Sequence, residues 1–149
     1  MEYVVQLKLM TDYALRVLIY LADNPDDVVT MHEISDYHQI SAEHLRKVIQ
    51  RLANENYINS YRGRGGGLRL GRSPADIVIG DVVRRFENDA SVIDCEGRGC
   101  VLFPGCSLIG VLGKAMRAFY LELDQYTLAD VMGSARMKKQ LQQISARQV

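Results

Sequence analysis

The tract Gly63-Arg64-Gly65-Gly66-Gly67 narrows the folds open to this chain more than any other stretch. Four glycines in five residues form neither helix nor strand readily, because each has more backbone freedom to lose than any other residue. They separate Tyr57-Ile58-Asn59-Ser60-Tyr61 from Leu68-Arg69-Leu70, and both flanks alternate in polarity as strands do. The tract is therefore expected to be the tip of a β-hairpin carrying Arg62 and Arg64. A phosphate loop for a nucleotide would need Gly-Lys-Ser/Thr and a helix directly behind it, and neither follows.

Upstream of the hairpin, Met10, Ala14, Val17, Leu18, Leu21 and Ala22 recur at steps of three and four, which predicts an amphipathic helix over residues 9–22. The turn formers Asp23-Asn24-Pro25-Asp26-Asp27 end it. Thr30-Met31-His32-Glu33 has capping-box spacing and should open a second, short helix to about His38. Gln39-Ile40-Ser41 is a tight break, and Ser41 is suited to cap a third helix. That helix turns Leu45, Val48, Ile49, Leu52 and Ala53 inward and Glu43, His44, Arg46, Lys47 and Gln50 outward.

Helix, short turn, helix and arginine-tipped hairpin is the layout of a winged helix-turn-helix. Glu43, His44, Arg46 and Lys47 are then expected in the major groove of double-stranded promoter DNA, with Arg62 and Arg64 on phosphates or in the minor groove. The plain alternative, a charged face that is merely solvated, stands for each of them. The formal net charge of zero over 149 residues hides an asymmetry. Residues 41–72 carry Arg46, Lys47, Arg51, Arg62, Arg64, Arg69 and Arg72 against Glu43 and Glu55, while residues 1–40 carry Lys8 and Arg16 against seven acids. Phosphate responds to the field within about 8 Å at physiological salt, so a local basic stripe suffices.

Ser73-Pro74 restarts the chain, and Ile79, Val82, Val83 and Phe86 mark a helix over 79–87. All three cysteines follow, Cys95, Cys100 and Cys106, spaced C-x4-C-x5-C in a segment broken by Gly97, Gly99, Pro104 and Gly105. Such a segment can bend until its thiols meet one object. Thiolates favour iron-sulfur clusters or zinc, and both usually take four ligands, so a fourth would come from elsewhere. Three thiols packed as small apolar groups is the bland alternative. An odd count in a chain of this length does not read as a disulfide framework. A zinc staple completed by Asp94 or a His would make an interaction module instead.

Beyond Cys106, a wide apolar stripe from Leu108 to Leu123 reads as a long helix that pairs two copies of the chain or else packs on its own domain. Thr127-Leu128-Ala129-Asp130 starts a last short helix, and the polar tail from about Gly133 is expected to be loosely ordered. The expected architecture is mostly α with one small hairpin. Residues 1–90 form a winged helix-turn-helix, 91–107 a cluster-binding loop, 108–132 a dimerisation helix with a short terminal helix, and 133–149 a flexible tail. No secretory leader or membrane span is visible, so a cytoplasmic location is expected. An enzyme is not: there is no C-x-x-C pair, and the three His, at 32, 38 and 44, belong to the helix-turn-helix.

Taken in order, Thr11-Asp12-Tyr13-Ala14-Leu15-Arg16, His44-Leu45 with Lys47-Val48, the wing from Arg62 to Leu68, Pro74 with Ile77 and Asp81-Val82-Val83, the cysteine trio and Tyr126-Thr127-Leu128-Ala129-Asp130 resemble a known family. It is that of the bacterial winged-helix repressors that include IscR, a regulator of iron-sulfur assembly, and NsrR, a sensor of nitric oxide. The resemblance runs from about residue 10 to residue 130, and the cysteine spacing is most similar to NsrR-like members. IscR-like members place a His three residues after the last Cys, where this chain has Ile109, and that departure counts against a two-iron cluster. The resemblance implies a homodimer with a 4Fe-4S cluster on Cys95, Cys100 and Cys106, a 2Fe-2S cluster being the other option. Asp12 of the partner subunit is implied as the fourth ligand, although an acid there also simply suits the helix dipole. Repression relieved by nitric oxide is the implied function; sensing of iron, cluster supply or redox state is the alternative.

Overall fold

Two hydroxyls fix where the helices of the helix-turn-helix begin. In the computed structural model, which describes residues 6–88 and 92–147, the Thr30 side chain accepts from the Glu33 amide, and the Glu33 carboxylate accepts from Thr30 N–H at 2.6 Å. This closed capping box opens α2 (Met31–His38). Ser41 Oγ accepts from the His44 amide and opens α3 (Ala42–Asn54). Between them Gln39 takes a left-handed conformation and Ile40 is buried, which turns the chain sharply.

α1 (Leu9–Asp23) buries Ala14, Val17, Leu18 and Leu21 as one stripe against α3. Behind α3 the wing forms from β1 (Ile58–Tyr61) and β2 (Gly67–Leu70), antiparallel with Ile58 opposite Leu70 and Tyr61 opposite Gly67. Its tip closes through Gly66 N–H to Gly63 O, with Gly63 and Gly65 at positive φ, the conformation that the glycine tract anticipated. A short 3-10 turn (Pro74–Asp76) leads into α4 (Ile79–Glu87). After the cysteine segment come α5 (Ser107–Leu123), α6 (Leu128–Gly133) and α7 (Ala135–Arg147). The core gathers Tyr57, Phe86, Leu18, Leu45, Leu52 and Leu128, each contributing roughly 1.5–3 kcal/mol by leaving water.

Three features differ from the sequence reading. Val29 pairs with Leu68 through two backbone hydrogen bonds, 2.7 and 3.0 Å, adding a third rung to the wing. A Cβ on Gly67 would lie 2.6 Å from Val29 O, so only glycine admits this approach. Next, α6 is stitched to the winged core: Leu128 N–H reaches Ile77 O, Ile79 N–H reaches Tyr126 O, and Leu128 is 1% exposed. This helix, expected alongside the dimerisation segment, therefore also packs on the winged core. Finally, residues 135–147, expected to be loosely ordered, form a helix, in keeping with a run of Ala, Arg, Met, Lys, Gln and Leu without Gly or Pro. The boundary expected at residues 90 and 91 lies outside the described residues. Among those described, no helix is long and apolar enough to cross a membrane.

Candidate nucleic-acid interface and cysteine cavity

The basic stripe over residues 41–72 separates into two groups. Arg51 stacks on Phe86 at 4.7 Å and donates to Arg85 O and Asn88 Oδ1. Arg69 donates to Asp26 O at 2.8 Å. Arg72 stacks on Tyr57 at 4.6 Å and donates to the carbonyls of Glu55 and Asn56. These three arginines brace the wing and the end of α3. Arg46, Arg62 and Arg64 are exposed and carry no ion pair among the described residues. Lys47 and Glu43 form an exposed pair at 3.5 Å, worth well under ~1 kcal/mol and easily exchanged for a phosphate. His44 is held on both sides, by Ser41 Oγ at 2.9 Å from Nδ1 and by the Tyr13 ring at 6.3 Å between centroids. All six sequence-nominated residues therefore lie on α3 or at the wing tip, with Arg46, Arg62 and Arg64 the most available.

The cysteine segment is built from tight turns. Asp94 Oδ1 accepts from Gly97 N–H at 2.8 Å, Cys100 N–H reaches Cys95 O at 2.9 Å, and Phe103 N–H reaches Cys100 O at 3.1 Å. Cys106 is the residue that opens α5, so its sulfur sits at the positive end of that helix. Cys95, Cys100 and Cys106 line one cavity of about 840 Å³ between this segment and α5, walled by Leu102, Phe103, Leu112 and Met116. Burial, and after it the charges of Cys100, Cys106 and Asp94, push the Cys95 thiol up from its ordinary value. Sulfurs close enough to oppose one another's ionisation form a donor set that a bound cation would stabilise. Soft donors in an apolar wall fit an iron-sulfur cluster, with the three cysteines as holders. Asp94, the fourth ligand in the zinc-staple alternative, already serves the turn, and among the described residues no three Cys, His, Asp or Glu close on a single metal ion.

Asp12 is not among the residues lining that cavity. It lies in the first turn of α1, gripped by Arg16 at 2.8 and 3.0 Å. Its sequence neighbours are better placed than the sequence could tell. Thr11, fully buried, donates to Glu87 Oε1, which also accepts from Lys8 N–H at 2.7 Å. Glu87 thus ties the start of α1, where Lys8 offers no side-chain cap, to the end of α4. On the other side of Asp12, Tyr13 touches His44 of α3.

A family model described as "Rrf2: Iron-dependent Transcriptional regulator" matches residues 7–134. The chain belongs to the Rrf2 family. Within it, this Rrf2 protein is 45% identical over 126 residues to the HTH-type transcriptional regulator NsrR of Bacillus subtilis, covering 82% of this chain and 86% of that protein. It is 46% identical to the NsrR of Bacillus licheniformis, covering 82% and 88% respectively. Solved structures share its fold at 24% identity. B. subtilis CymR, a global cysteine regulator, matches with a TM-score of 0.69 over 87% of this chain and 97% of that one, and IscR of T. potens with 0.71 over 87% and 88%. The Rrf2 protein is accordingly an NsrR-like, DNA-binding transcriptional regulator and not an enzyme.

Proposed function

We propose that this regulator is a homodimeric repressor that senses nitric oxide through an iron-sulfur cluster on Cys95, Cys100 and Cys106 and leaves promoter DNA on nitrosylation. The observation that carries the reading is the convergence of three thiols on one cavity at the head of α5. A 4Fe-4S cluster is favoured over 2Fe-2S because Ile109 stands where a fourth, histidine ligand would be needed. When bound, such a cluster supplies an iron without a thiolate, which a small ligand can attack.

Asp12 of the partner subunit is the proposed fourth ligand. Arg16 must share it, and an exposed pair of this kind, worth roughly 0.2–1 kcal/mol, is no bar to a metal bond. The apolar face of α5, with Leu108, Val111 and Leu121 exposed, is proposed to be covered by the second copy. Thr11 and Tyr13 flank Asp12 and reach Glu87 at the end of α4 and His44 on α3, so a change at Asp12 is passed to the reading helix in one contact. Half-sites about 34–36 Å apart tolerate little displacement of two such helices.

The test is anaerobic loading of the full chain with iron and sulfide, followed by absorption spectra and operator binding with and without nitric oxide. Visible cluster bands and operator affinity lost on nitric oxide addition are expected. Colourless protein, or an affinity that nitric oxide does not move, sinks the reading. The family's description as iron-dependent favours one second reading, that cluster occupancy reports iron supply. In that case iron starvation releases DNA and nitric oxide does not.

A further inference from the structure

Among the described residues, the cysteine cavity has one basic residue in its lining. Beside the three thiols its charged members are Asp94, Glu96 and Arg117. Arg117 stands on α5 (Ser107–Leu123), eleven residues and about three turns after Cys106, the residue that precedes the helix, and lines the same cavity. Helical side chains lean toward the N-terminus, here toward the sulfurs. Gly110 and Gly113, which stand between Arg117 and Cys106 on that side of the helix, carry no side chain. Arg117 Nη1 comes within 3.8 Å of the point where a Cβ on Gly113 would be. The guanidinium is therefore laid back over bare backbone toward the cavity.

Charge accounts for what it does there. Asp94 and Glu96 stand beside the three cysteines in that lining, so the site becomes anionic when the sulfurs give up their protons to a bound cluster, and Arg117, exposed on α5, is placed to offset that charge. We propose that Arg117 is the counter-cation of the cysteine site, a positioning residue whose guanidinium balances the thiolate charge around a bound cluster and slows the cluster's loss. The inference rests on the cofactor reading above. A guanidinium suits the task because it is always charged and offers several donors to sulfur.

The test loads full-length parent, Arg117→Gln and Arg117→Lys with iron and sulfide without air, then follows cluster absorbance during challenge with an iron chelator at low and high salt. Arg117→Gln should lose the cluster roughly 10- to 100-fold faster, the usual cost of removing a group that supports metal ligands. Arg117→Lys should stay near the parent, and the gap should narrow as salt screens the charge. Equal rates for Gln and parent overturn the inference alone, as does a Lys variant no better than Gln. A shift in the unfolding midpoint of the cluster-free Gln variant also overturns it, because the role would then be structural. A parent that takes up no cluster overturns the cofactor reading and this inference with it.

Discussion

The winged core and the cysteine arm treat their apolar residues in opposite ways. In the core Leu45, Leu52, Phe86 and Leu128 are all at or below 1% exposure, and α2, α3 and α6 open on side-chain caps. In the arm Val101 is 95% exposed, α5 has no buried residue, and its first residue is preceded by a thiol that caps nothing. One region is finished by its own sequence. The other leaves apolar surface uncovered, so stability resides in the first, while the proposed cofactor and second copy would apply their free energy at the second.

The sharpest test of that contrast pairs one change in each region. Leu128→Ala should cost about 2–5 kcal/mol in a denaturant melt, as cavities in a closed core do. Cys100→Ala should leave the same melt of cluster-free protein within about 0.5 kcal/mol while abolishing visible absorption after loading. A Cys100 variant as unstable as the Leu128 variant would erase the distinction. Gly67→Ala, which forces a methyl against Val29 O, should cost roughly 1–3 kcal/mol and weaken operator binding through the displaced wing.

A smaller effect concerns acid. Burial, and then the Arg16 charge, hold the His38 imidazole below its ordinary 6.5, outweighing a hydrogen bond with the Arg16 backbone and the charge of Asp12. A depressed folded value means that the unfolded chain binds the proton first. The stabilisation is therefore complete above pH 6.5 and is lost as pH falls through the folded value. Melts of His38→Gln should be flatter than the parent's below pH 6.5; identical slopes would remove His38 as the cause. Smallest in stability terms, Arg46→Ala or Arg62→Ala should leave the melt unchanged and lower the salt slope of operator binding by about one. Arg72→Ala should do the reverse, costing about 1–2 kcal/mol of stability with the slope retained.

The parts of this fold that were legible are those written locally. Thr30 with Glu33, Ser41 ahead of an apolar stripe, and glycines between alternating segments each specify an element within a few residues. What escaped depends on distant partners. Arg51, Arg69 and Arg72 looked like any other members of a basic run, and their bracing roles depend on groups up to 37, 43 and 17 residues away. The Val29 rung is a single pair with no periodicity to announce it. The capping box at Thr127 was readable, whereas the wall against which Leu128 docks was not. At the site, spacing and glycines pointed to the cysteine segment, while Glu87 and Arg117 were invisible until α1, α4 and α5 were in place.

The outer end of α5 is not loose. Asp124 is joined to Arg84 at 2.7 Å, approaches Gly80 so closely that a methyl there would collide, and is followed at once by the backbone stitch at Thr127. Arg85, the next residue on α4, clamps Glu55 at the end of α3. The long helix is thus a lever with its fulcrum on α4: whatever pushes the sulfur end leans, through that floor, on the rear of α3, the helix proposed to face the operator.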